Sequence, residues 1–180
     1  MRRLMLLRHA KSDRPPGISD FDRPLNGRGR KAAPRMGAYL AAENLRPDHV
    51  VLSPSLRTRE TWEPVRAALG GPDATPVEAI YEAPTEALLA VVRSTPEAAA
   101  SLLMIGHNPG LQDLAAMLVG TGPRDLRSRL DLEFPTAALA IVDFDLDDWR
   151  EIAPGTGRIE RFVVPRDLGN GRDLGDDPGA

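Results

Sequence analysis

Two of the chain's 3 histidines, His9 and His107, stand where short apolar runs end. Leu4 to Leu7 runs into Arg8-His9, and Ser101 to Ile105 runs into Gly106-His107-Asn108-Pro109-Gly110. A third apolar run, His49 to Leu52, ends in Ser53-Pro54-Ser55-Leu56-Arg57-Thr58-Arg59-Glu60-Thr61. Neutral imidazole is a good nucleophile near pH 7, and guanidinium binds phosphate through paired N–H donors. Arg57 falls near the start of an expected helix, where the helix dipole disfavours a cation. A bound anion would reconcile the two. A phosphoryl group in transfer spreads negative charge over its equatorial oxygens, so positioned positive charge is what its reaction needs. Each residue alone is a weak signal; their arrival at three strand ends together is not.

The elements that must position them can be read from the same pattern. Wholly apolar runs of four or five residues suit strands buried on both faces, as in a parallel sheet. Ala137 to Phe144 reads as a longer strand, and Val77 to Tyr81 and a segment within Trp149 to Val164 as weaker ones. Helical spacing falls between them. Gly29 to Leu45 follows Asn26 as a cap, with Pro34 pointing to a late start or a kink. Ser55 to Leu69, Thr85 to Ser94 (Thr85 as candidate cap) and Leu111 to Leu118 (Asn108 as cap, Pro109 as first residue) complete the set. Alternating strands and helices predict an α/β, three-layer sandwich with a mostly parallel central sheet. Ligands of such sheets bind beyond the carboxyl ends of the strands, where His9, Arg57 and His107 would lie. His49 opens its strand at the far edge and reads as structural.

Composition narrows the classes. The 180 residues fit one domain, expected over 1–165, with 166–180 as a flexible tail lacking apolar periodicity. Aromatics are only 4%, which leaves no stacking surface for single-stranded nucleic acid, and the net charge of -3 gives no global field for polyanions. Neither nucleic acid nor membrane is expected as a partner. There is no cysteine, so disulfides, thiol catalysis and cysteine-based metal sites are excluded. The apolar stretch after Met1-Arg2-Arg3 is too short for a signal peptide, and the cytoplasm is the expected location. Of 23 basic residues only Lys11 and Lys31 are lysines.

Arg8-His9-Ala10-Lys11-Ser12 resembles the signature of the histidine phosphatase superfamily, which has the phosphoglycerate mutase-like fold and usually carries glycine at the position of Ala10. The stretches Asp20-Phe21-Asp22-Arg23-Pro24-Leu25-Asn26-Gly27-Arg28-Gly29, Ser53 to Thr61 and Gly106 to Gly110 are similar to segments of its SixA-type phosphohistidine phosphatases. The resemblance runs from about Leu4 to Leu168 with the motifs in order. It implies that His9 is the nucleophile and forms a phosphohistidine, that Arg8, Arg57 and His107 hold the phosphoryl oxygens, and that Glu82 is the proton donor. It implies no cofactor and no metal.

A phosphorylated protein, such as a histidine-containing phosphotransfer domain, is the expected substrate. The short spacer between Leu69 and Thr85 leaves little chain for a lid over a small molecule. A small-molecule phosphomonoesterase of the same superfamily and a phosphate-binding module without catalysis remain alternatives. Gly27-Arg28-Gly29-Arg30-Lys31-Ala32 fits a loose dinucleotide pattern but follows no buried strand. Asp143 to Asp147 begins like a calcium loop but lacks its glycine and closing glutamate.

Overall fold

Leu4-Met5-Leu6-Leu7 has no polar face, and the strand it forms is covered on both sides. In the computed structural model, which describes residues 1–169, this run is the middle of β1 (Arg2–Arg8). β1 pairs in parallel with β4 (Ser101–Gly106) and antiparallel with β6 (Leu139–Phe144). β2 (His49–Leu52), β3 (Thr75–Pro76), β5 (Val119–Thr121) and β7 (Gly157–Val163) complete a sheet of order β3-β2-β4-β1-β6-β7-β5. Side chains of a strand alternate in direction. Met5 and Leu7, with Leu103 and Ile105, therefore pack under α1 (Gly27–Ala42) and α2 (Leu56–Leu69). Leu4 and Leu6, with Leu102 and Met104, pack under α3 (Thr85–Arg93), α4 (Gly110–Leu118) and Leu130 of α5 (Arg124–Leu132). The result is the three-layer, mostly parallel α/β sandwich expected of a phosphoglycerate mutase-like fold. Among the described residues no helix is long and apolar enough to cross a membrane.

Several elements differ from the sequence expectations. Val77 to Tyr81 is not a strand. β3 is only Thr75–Pro76, and after the Val77 N–H bonds the Leu52 carbonyl at 2.9 Å the chain coils into a 3-10 turn, Glu78–Ile80. That turn buries Ile80 against Gly106 at the end of β4. Ala137 lies outside β6, with φ 60°, because its N–H is used on the carbonyls of Arg8 (3.1 Å) and His9 (3.0 Å). α1 begins early, at Gly27, with Asn26 as its cap, and Pro34 sits inside it. Pro84 rather than Thr85 precedes α3, and α4 starts at Gly110. β5 and α5 have no clear signal in the sequence: the one is Val-Gly-Thr, and the other sets three arginines among Leu126, Leu130 and an exposed Leu132. Arg166 to Leu168 belong to a 3-10 turn, Pro165–Leu168, whose Leu168 packs on the α1 side of the core. The rest of the expected tail, 170–180, lies outside the described residues.

The N-terminus of α1 holds the loop that follows His9. Asn26 N–H donates to the Lys11 carbonyl at 3.0 Å, and a Cβ added at Gly29 would stand 2.1 Å from that same oxygen. Only glycine permits this approach. Gly29→Ala is expected to destabilise the fold by about 1–3 kcal/mol through overpacking, read as a lower urea midpoint. An unchanged midpoint would show that the loop does not depend on this contact.

Candidate active site

The register of β1 on β4 sets Arg8 opposite Gly106, so His9 and His107 leave adjacent strands at the same edge. The His9 N–H continues the ladder onto the Gly106 carbonyl at 3.1 Å. The two imidazoles lie with centroids 5.3 Å apart and planes tilted by 55°. β1 and β4 also mark the place where the connections diverge: α1 and α2 cover one face and α4 the other. This is the switch point at which open α/β sheets bind ligands.

His9 is 7% exposed, and its Nδ1 lies 2.7 Å from the Ala10 carbonyl oxygen. A carbonyl only accepts, so Nδ1 carries the proton and Nε2 of the neutral ring keeps its lone pair. Ala10 is held in turn. Its N–H donates to Thr61 Oγ1 at 2.9 Å, and that hydroxyl donates to the Arg57 carbonyl at 2.7 Å. Ala10 is wholly buried beside Leu25, Ala32, Ala33 and Ala137, so the site accommodates a methyl where the family usually has glycine. Burial pushes the His9 imidazole down to about 3, against the pull of the Ala10 carbonyl; His107, Arg57 and Arg8 add to the depression.

Arg57 enters from the first turn of α2, itself 6% exposed. Its Nη1 donates to the Asp20 carbonyl at 2.7 Å, and its Nη2 lies 3.2 Å from Asp20 Oδ2 and 3.3 Å from His107 Nδ1. Arg8 Nη1 donates to the Phe134 carbonyl at 2.9 Å. The Nε groups of both arginines are buried without a hydrogen-bond partner in the protein. Two buried guanidinium donors without acceptors are costly unless an anion takes them. His107 Nε2 lies 2.8 Å from Ser53 Oγ. With Arg57 donating to Nδ1, the neutral ring carries its proton on Nε2 and gives it to Ser53. Burial, followed by Arg57, pushes His107 down to about 4.

His9, Arg8, Arg57 and His107 are thus brought together. Glu82 is not joined to them by any hydrogen bond or ion pair among the described residues. It is exposed, with φ 51°, on the loop before α3. Its neighbour Tyr81 packs edge-on against His107 at 5.5 Å. Sequence reasoning assigned no role to Asp20, Tyr81, Ser53 or Thr61. Asp20 lies in a quoted motif, but a carboxylate in a polar loop has no periodicity to mark it. Ser53 precedes the turn into α2 and Thr61 lies in its second turn; both are fully buried polar residues, and only their burial distinguishes them.

Residues 4–84 match the sequence profile of the histidine phosphatase superfamily, branch 1. An uncharacterised protein of Mycobacterium tuberculosis is 32% identical over 162 residues, spanning 89% of this chain and 100% of that protein. A candidate phosphohistidine phosphatase SixA of Agrobacterium tumefaciens superposes with TM-score 0.76 at 31% identity, covering 91% of this chain and 98% of that one. The protein histidine phosphatase SixA complexed with tungstate superposes with TM-score 0.75 at 26% identity, covering 93% and 99%.

Both site histidines should stay neutral far below the ordinary value of 6.5. The unfolded chain then binds more protons than the folded one, so stability falls as pH drops from about 6.5 toward about 4. Nitrogen NMR of the two rings is expected to show no protonation down to pH 5, with the proton of His9 on Nδ1. Titration of His9 near 6.5 would contradict the geometry.

Proposed function

Because the chain belongs to the histidine phosphatase superfamily, we propose that it hydrolyses phosphohistidine in a signalling protein through a covalent intermediate on His9. One observation carries the assignment of the nucleophile: the Ala10 carbonyl occupies Nδ1 and leaves the lone pair on Nε2, in a site where the buried Nε donors of Arg8 and Arg57 lack protein acceptors. His9 Nε2 attacks phosphorus, and the bond to the leaving group breaks. The Nδ1 proton stays on the ring, where the Ala10 carbonyl stabilises the positive charge that develops. Arg8 and Arg57 take the phosphoryl oxygens. His107 takes one through Nδ1, gaining the proton that the anion favours. Water then displaces the phosphoryl group from His9 and releases inorganic phosphate.

The protein substrate is favoured by the chain between Leu69 and Thr85. It holds only β3 and a 3-10 turn, with no inserted lid. The tungstate-bound relative is a protein histidine phosphatase, which agrees with this reading. A phosphotransfer domain bearing phosphohistidine is the partner of choice, and the cytoplasm is the location the reading requires. Glu82 would serve as proton donor only for ester substrates, whose alkoxide leaving group needs one.

A side-by-side assay on a phosphohistidine protein and a panel of phosphate monoesters tests the substrate. A higher kcat/KM on phosphohistidine is expected. His9→Ala should lose all turnover, and Arg57→Ala should lose about 10²–10³-fold, as for removal of a transition-state donor. Preference for a sugar or nucleotide phosphate would sink the substrate and leave the nucleophile standing. Glu82→Gln is expected to depress ester hydrolysis and spare phosphohistidine; if it changes neither, Glu82 has no catalytic role.

A further inference from the structure

Asp20 stands at the mouth of the site, bound to the arginine that faces the phosphoryl group. Its Oδ2 accepts from the Tyr81 hydroxyl at 2.5 Å and from Arg57 Nη2 at 3.2 Å, and its Oδ1 accepts from Arg23 Nη1 at 2.9 Å. The same Arg57 Nη2 lies 3.3 Å from His107 Nδ1, so one nitrogen links the carboxylate to the histidine of the pocket. The Asp20 side chain is 43% exposed, and Oδ1, with one protein partner, retains acceptor capacity. The Tyr81 hydroxyl, then Arg23 and Arg57, hold the carboxyl far below the usual carboxylate range, against the opposing effect of burial. Asp20 is therefore an anion at any working pH and has no proton to give. Tyr81, raised to about 12 first by burial and then by Asp20, remains a neutral donor. Phe21 packs edge-on against Tyr81 at 5.2 Å and completes this side of the mouth.

We propose that Asp20 selects the leaving group: it accepts a hydrogen bond from the N–H of a phosphorylated imidazolium and repels phosphate esters that carry a second anion beside the phosphoryl group. The proposal rests on the phosphatase reading above. A phosphohistidine protonated at its distal ring nitrogen cleaves without any further proton transfer. His9 Nε2 forms the bond to phosphorus, and the P–N bond breaks. Its electron pair returns to the ring, which leaves as neutral imidazole with its distal N–H still on Asp20. The positive charge passes to the His9 ring, whose Nδ1–H is on the Ala10 carbonyl. The exchange of one imidazole for another needs no general acid, in keeping with a Glu82 that no bond ties to the site. An ester bearing a carboxylate next to its phosphoryl group would instead set that anion against Asp20. Arg8 and Arg57 carry two positive charges, one of them already offset by the carboxylate.

The test uses the full chain and two probes, phosphoimidazole and phosphoglycolate, the latter an ester with an adjacent carboxylate. Asp20→Asn keeps an acceptor for Tyr81 and removes the charge. The kcat/KM ratio of phosphoimidazole to phosphoglycolate should fall by about tenfold, the scale of one half-screened charge at this range. The high-pH limb of kcat on phosphoimidazole should also move down, because the bound imidazolium loses its carboxylate. Asp20→Ser, which removes the same charge with a different shape, should shift the ratio the same way. Equal losses on both probes, or an unchanged ratio, would show that Asp20 only orients Arg57 and would overturn the proposal. Labelled phosphoenzyme in the unaltered protein keeps the two readings apart. If it forms and the ratio does not move, only the Asp20 role fails; if none forms, the reading of the function fails with it.

Discussion

The parallel pairing of β1 with β4, in the register Arg8 to Gly106, sets everything at the site. Side chains along a strand alternate, so a slip of one residue would turn Leu4 and Leu6 toward the wrong helices and send His9 away from His107. The register is fixed by two buried faces at once: Leu4, Leu6, Leu102 and Met104 on the α3 and α4 side, Met5, Leu7, Leu103 and Ile105 on the α1 and α2 side. Burying each such side chain contributes about 1.5–3 kcal/mol, so misregister is strongly disfavoured. The geometry of the phosphoryl site is thus a by-product of core packing. Ala137 adds to it from the other flank: its N–H on the Arg8 and His9 carbonyls ties the end of β1 to the approach to β6, at the cost of a left-handed backbone on a non-glycine residue.

Around that register the fold collects positive charge in a place that disfavours it. Arg57 is 6% exposed, and Arg8 is lowered first by burial and then by Arg57. A guanidinium keeps its charge in such surroundings. Part of the cost is offset by Asp20 and by the Phe134 carbonyl. The rest is left on two Nε donors. The same burial keeps both imidazoles neutral, which suits one to attack phosphorus and the other to accept a proton when the anion arrives. In the proposed mechanism, one environment would prepare nucleophile and anion clamp together.

How much of this was legible depended on whether the fold or the side chains did the work. That His9, Arg57 and His107 would converge could be read because each follows a short apolar run, and strand ends in an α/β sheet converge. The three-layer architecture followed from the same runs. Val77 to Tyr81 misled because a β-rich segment can equally coil when one residue, here Ile80, must turn inward. Arg166 to Leu168 was read as tail because a single leucine at a turn has no period, yet Leu168 packs on the core. The partners that tune the site were not legible. Asp20, Ser53 and Tyr81 reach it from turns and loops whose path only the tertiary structure fixes, and Thr61 from within α2, where nothing in the sequence marks its hydroxyl as facing the site. Which carbonyl would hold His9 was likewise open until Ala10 was seen to do it.

The account stands on the atom that attacks. Phosphoenzyme trapped by rapid denaturation in alkali, digested and read by phosphorus NMR or fragmentation mass spectrometry, reports which nitrogen of which histidine carries the phosphoryl group. Phosphorus on Nε2 of His9 is the result predicted by the hydrogen bond from Nδ1 to the Ala10 carbonyl. Phosphorus on Nδ1 of His9, or on His107, would contradict it.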